Sequence, residues 1–177
     1  MDKILVSACL LGAPVRYDGG HSLINHPKIA RWKSEGRLIS VCPEVLGGLP
    51  TPRPPAEIQN RFPILVTTRD GRDFTPQFLA GAEMAMDIAQ EYNVCCALMK
   101  ARSPSCGNRT TYDGNFTGTE SNAPGITANE LIRGGIPVFN ENELDELIEF
   151  IDSRPRDPQS RFSDEPINDY HYGSTCG

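Results

Sequence analysis

"TPQFLAGAEMAMDIAQEYNVCCALMKARSPSCG", residues 75–107, is the stretch from which the fold can be read. Thr75 is expected as an N-cap with Pro76 at the first helical position, and Phe78, Ala82, Ala85 and Ala89 recur at helical spacing. These signals predict a helix over 75–93. The apolar run "VCCALMK" (94–100) follows at once and reads as a buried strand. A helix feeding straight into such a strand is half of a βαβ unit, the building block of a parallel sheet. Beyond the strand the chain turns polar, and Cys106 stands in a loop stiffened by Pro104 and followed by Gly107.

The same alternation continues on either side. "KILVSA" (3–8), "RLISVC" (37–42), "PILVTT" (63–68) and "IPVFN" (136–140) read as further β runs, the third ending in an Asp-Gly turn signal. "HPKIARWKSEG" (26–36) predicts a helix with Pro27 near its start and Gly36 as its stop. "TANELIRGG" (127–135) and the amphipathic "ENELDELIEFIDS" (141–153) predict two more. The pattern calls for an α/β fold: a mostly parallel open sheet with helices on both faces, in a Rossmann-like three-layer architecture. From Ser153 the composition shifts to proline, serine and charge, so the expected domain spans 1–152 and a tail or linker 153–177.

At 177 residues the chain suffices for one domain with a full core. A formal net charge of −6 argues against a broad nucleic-acid surface. No apolar run approaches the roughly 20 residues that span a bilayer, and no cleavage site follows "MDKILVSACLLG". The expectation is a cytoplasmic protein acting on a small molecule, without nucleic-acid or membrane partners; oligomeric state is not legible. In a reducing cytoplasm the six cysteines point to metal or redox chemistry rather than disulfides. No G-x-G-x-x-G or Walker loop marks a nucleotide site.

Cys9, Cys42 and Cys106 each fall at or just beyond the carboxyl end of a predicted strand. Open α/β sheets bind ligands outside those ends, so three cysteines far apart in sequence can converge there. Taken singly, Cys9 or Cys42 also fits a small buried hydrophobe, whereas Cys95 and Cys96 inside the apolar strand read as packing and Cys176 as incidental. Structural zinc prefers four protein ligands. A cubane cluster held by three thiolates keeps one iron without a protein ligand, and that iron can act as a Lewis acid.

"SACLLGAPVRYDGG" (7–20), "VCPEVLGGLPTPRPPAEI" (41–58) and "LMKARSPSCG" (98–107) together resemble the thiouracil desulfidase family, long catalogued as a domain of unknown function. The resemblance covers about residues 3–151. It implies a [4Fe–4S] cluster bound by Cys9, Cys42 and Cys106. It also implies non-redox removal of sulfur from a thiolated pyrimidine such as 2-thiouracil, giving uracil and hydrogen sulfide. A thiocarbonyl sulfur is soft and suits an open iron. The general base implied is Glu44, two residues after Cys42; the competing role is a cap carboxylate.

Ser103 is the preferred catalytic hydroxyl and Ser105 a substrate-binding one, although serines in such a turn also serve as caps. Lys100, leaving the strand, is expected to stabilise anionic substrate or cluster charge, or else to stand solvated. Arg16, Tyr17 and Asp18 offer a donor, an aromatic ring and an acceptor to a flat base, or else form a turn with an Arg–Asp pair. Arg53 sits in a proline-stiffened lid, pocket wall or surface loop, and His21 is the histidine nearest these motifs. The rival function is a cluster-containing sensor or binding protein without catalysis.

Overall fold

The computed structural model describes residues 1–155. In chain order the elements are β1 (Lys3–Ser7), α1 (Pro27–Ser34), β2 (Leu38–Val41), α2 (Pro43–Leu46), β3 (Ala56–Arg61) and β4 (Ile64–Thr68). They continue with α3 (Thr75–Glu91), β5 (Val94–Leu98), β6 (Thr111–Tyr112), β7 (Glu120–Ser121), α4 (Ile126–Arg133), β8 (Val138–Phe139) and α5 (Leu144–Asp152). A short 3-10 turn, Ala8–Leu11, follows β1.

Four strands form one parallel sheet in the order β2-β1-β5-β8. Alternation along each strand divides its side chains between two faces. Ile4, Val6, Cys96 and Leu98 pack against Ile29 and Trp32 of α1 and Leu147 and Ile151 of α5. Leu5, Val41, Ala97 and Met99 pack on the other face with Ala89 of α3 and Leu131 of α4. The expected sheet with helices on both faces is therefore present. The chain leaves β1 toward one edge and β5 toward the other, so the switch point lies between these two central strands.

The run at 63–68 is a strand, but it lies outside that sheet. β4 pairs antiparallel with β3, which begins within the stretch read as a proline-rich loop. This hairpin packs Ile58 and Val66 against Phe78 and Ala82 of α3 and Ile126 of α4. A second small hairpin, β6–β7, follows the Cys106 loop. Thr75 is not the N-cap of α3: Phe74 holds that position, and the Thr75 hydroxyl accepts from the Val66 amide at 2.9 Å. The helix start is thus tied to the hairpin.

Cys95 sits in a register shift of β5, where the partners step from Lys3–Val94 to Ile4–Cys96. Both vicinal cysteines join the core, Cys96 fully buried and Cys95 partly so, as their apolar setting implies. Among the described residues no helix is long and apolar enough to cross a membrane. Most of the expected tail, including Cys176, falls outside the described residues.

Candidate functional site

A cavity of about 450 Å³ opens at the carboxyl ends of β1, β2 and β5, and Cys9, Cys42 and Cys106 all line it. Each thiol arrives by a different local device. Cys9 rides on the 3-10 turn that ends β1. Cys42 is the N-cap position of α2, directly after β2. Cys106 lies in a loop docked on the start of α4, where the Pro104 and Ser105 carbonyls accept from the Ile126 and Ala128 amides at 2.9 and 3.0 Å. That docking leaves no room for a side chain at Gly125, whose Cβ would stand 2.6 Å from the Ser105 carbonyl carbon.

None of the three is in a disulfide. Burial pushes the Cys9 thiol up to about 11, and the nearby Cys42 charge adds to the effect. Burial also raises Cys42, and pushes Cys106 up to about 12. The Cys42 charge acts on Cys9 and the Cys9 charge on Cys106, so the thiols form a donor set that a bound cationic group stabilises, because metal ligation takes the place of the protons. Among the described residues no three His, Cys, Asp or Glu side chains are grouped to hold a single metal ion. Thiols spread around a cavity suit a cluster whose irons occupy separate corners.

Glu44 is in the first turn of α2 but does not cap it. Its Oε1 accepts from Arg53 Nε at 3.1 Å and its Oε2 from Ser105 Oγ at 3.1 Å. Ser105 Oγ also stands 3.5 Å from Cys106 Sγ and 3.1 Å from Ser103 Oγ. Ser103 Oγ in turn accepts from the Ser105 and Cys106 amides at 3.2 and 3.1 Å. With both acceptor sites used, and the Ser105 hydrogen given to Glu44, the Ser103 hydroxyl donates to Ser105 Oγ. The result is a continuous polar chain beside the cysteines.

Lys100 also lines the cavity, its Nζ 2.7 Å from Glu141 Oε1. The other Glu141 oxygen accepts from the Ala101 amide at 2.8 Å, which fixes the start of the Cys106 loop. Arg16 and Tyr17 line the cavity; Asp18 does not, and instead holds the Gly20 amide at 2.9 Å and faces Arg16 at 3.6 Å. His21 lies outside the lining as well, its Nδ1 accepting from the Leu23 amide. Arg53 is no surface residue: it is buried, and its fork joins Glu44 to the Val15 carbonyl at 2.9 Å. Glu57, Arg69, Tyr112 and Phe116 complete a wall that the sequence reading missed. Glu57 was within the quoted "PAEI", but nothing local said that its side chain turns inward.

A family model of the 2-thiouracil desulfurases matches residues 4–143. The chain belongs to that family. Its members are desulfurases, enzymes that break carbon–sulfur bonds. YbbK of Bacillus subtilis (strain 168), an uncharacterised protein, is 37% identical over 152 residues, spanning 82% of this chain and 99% of its own. The solved structure of TudS, a [4Fe-4S]-dependent thiouracil desulfidase, superposes with a TM-score of 0.83 at 45% identity, covering 86% of this chain and 99% of TudS. The desulfurase family thus spans the parallel sheet and the whole cavity.

Proposed function

We propose that this desulfurase hydrolyses a thiolated pyrimidine such as 2-thiouracil to uracil and hydrogen sulfide, in the cytoplasm and without net redox change. The observation that carries the reading is the Arg53–Glu44–Ser105–Ser103 chain standing beside Cys106. Cys9, Cys42 and Cys106 fit a [4Fe–4S] cluster as its three protein ligands. When bound, that group supplies an iron without a protein ligand, a soft Lewis acid suited to thiocarbonyl sulfur.

The rest is the work of the chain. Glu44 takes a proton from the water that adds to the thiocarbonyl carbon. Arg53 holds one carboxylate oxygen in place, so the other is directed along the Ser105 side. Ser103, whose acceptor sites are occupied by two backbone amides, donates its hydroxyl hydrogen to Ser105. One water enters and one hydrogen sulfide leaves, so the atoms balance with no external electron donor. Lys100, Arg16, Tyr17 and Ser105 bound the space that receives the base. A mere sensor has no use for a carboxylate and two hydroxyls arranged in this way.

Anaerobic purification should give a brown protein with about four irons and four sulfides per chain. That protein should release sulfide from 2-thiouracil. Glu44→Ala should keep the iron and lose about 10²-fold or more in rate, the scale of general-base catalysis. A colourless protein carrying only zinc refutes the cluster, and an unchanged rate in the variant refutes the base.

A further inference from the structure

Glu57 is a buried carboxylate on the cavity wall that this hydrolysis does not use, 8% exposed and carried by β3. Its Oε1 accepts two backbone amides, from Gly114 at 3.0 Å and Phe116 at 3.2 Å. Its Oε2 has no hydrogen-bond donor among the described residues. The fully buried polar atoms without a partner among the described residues are Gln77 Oε1 and Thr127 Oγ1, so Glu57 Oε2 keeps access to the cavity and can accept a donor arriving there.

Beside it, Phe116 holds a left-handed backbone, φ 55°, which is costly for a bulky residue and persists only when its surroundings fix it. Glu57 fixes its amide, and Arg69 Nη2 donates to its carbonyl at 2.7 Å. The Arg69 guanidinium also stands 5.6 Å from the Phe116 ring centroid. Gln59 adds a third restraint by donating to the Gly114 carbonyl at 2.9 Å. The clamp keeps an aromatic ring on the cavity wall next to an unused acceptor.

We infer that Glu57 and Phe116 form the pyrimidine-recognition subsite of the proposed reaction. Glu57 Oε2 accepts a ring N–H of the base, and the Phe116 ring packs on its face. The inference rests on the desulfidase reading for the ligand class, and it adds a selection rule. A carboxylate oxygen accepts and cannot donate, so the subsite requires an unsubstituted ring nitrogen on that edge. A site built around such a bond rejects analogues that lack the N–H.

The test uses cluster-loaded protein and Glu57→Gln. Glutamine keeps one oxygen for the Gly114 and Phe116 amides and replaces the free oxygen with a donor. Uracil binding by calorimetry should weaken about tenfold or more, and KM for 2-thiouracil should rise alike while kcat stays within about threefold. Wild type should discriminate against at least one of 1-methyl- and 3-methyl-2-thiouracil by about tenfold or more, and the variant should lose that discrimination. Unchanged uracil affinity, or discrimination retained in the variant, overturns the inference. Calorimetry needs no turnover: uracil binding that depends on Glu57 without sulfide release would count against the desulfidase reading and support the subsite.

Discussion

Arg53 donates four hydrogen bonds from a side chain that is 2% exposed, to Glu44, Thr51 and the carbonyls of Pro50 and Val15. It ties the loop that follows Cys9 to the helix that follows Cys42. Removing it strands a carboxylate oxygen and a carbonyl in a cavity wall. Arg53→Ala should cost about 3 kcal/mol in urea unfolding, the scale for breaking a buried pair. Arg53→Lys keeps the charge but not the planar fork, so part of that loss and a slower sulfide release should remain. Equal midpoints for the three proteins would contradict this account. At this scale the cysteines were legible, because strand ends are visible in sequence. The partners of Arg53 were not, since a pairing across a proline-rich bend leaves no periodic trace.

The elements show where local rules are overruled by packing. Gly81 lies within α3, where alanine is intrinsically favoured over glycine by about 1 kcal/mol. Here a Cβ at Gly81 would stand 1.9 Å from the Pro43 carbonyl oxygen, and one at Gly47 would stand 1.9 Å from the Gln77 carbonyl oxygen. The backbones of α2 and α3 therefore touch, and that contact sets the position of Cys42 and Glu44. Gly81→Ala should lower stability by about 1–3 kcal/mol despite the better propensity, as overpacking does. Iron content and sulfide release should fall with it. A variant as stable and active as wild type would show that the contact is not required. The helices were readable because their apolar spacing repeats over several turns. β3 was hidden because its burial runs inward at one end and outward at the other rather than alternating. β6 and β7, two residues each, are too short for any period to show.

For the whole molecule, one topological fact explains why distant cysteines meet: β2, β1 and β5 are neighbours in the sheet, and each ends at the same cavity. Sequence pattern supplied the strands and their ends, whereas the wall opposite came from two hairpins that only long-range packing places. The core closes at α5, where Leu147 and Ile151 cover the face shared with α1. Arg154 then pairs with Asp2 at 3.0 Å and stacks over Phe150, bringing the two ends of the domain together. The match to YbbK spans 152 residues and nearly all of that protein, so a unit of this size stands alone in a relative. We therefore expect a chain ending at Pro155 to be a complete desulfurase domain. Its melting temperature should lie within about 2 °C of the full chain, a difference below about 1 kcal/mol. Its iron content should match, and its rate on 2-thiouracil should agree within about twofold, since the cavity-lining residues among those described all precede the cut. Loss of iron or of turnover on truncation would instead make residues 156–177 part of the working site.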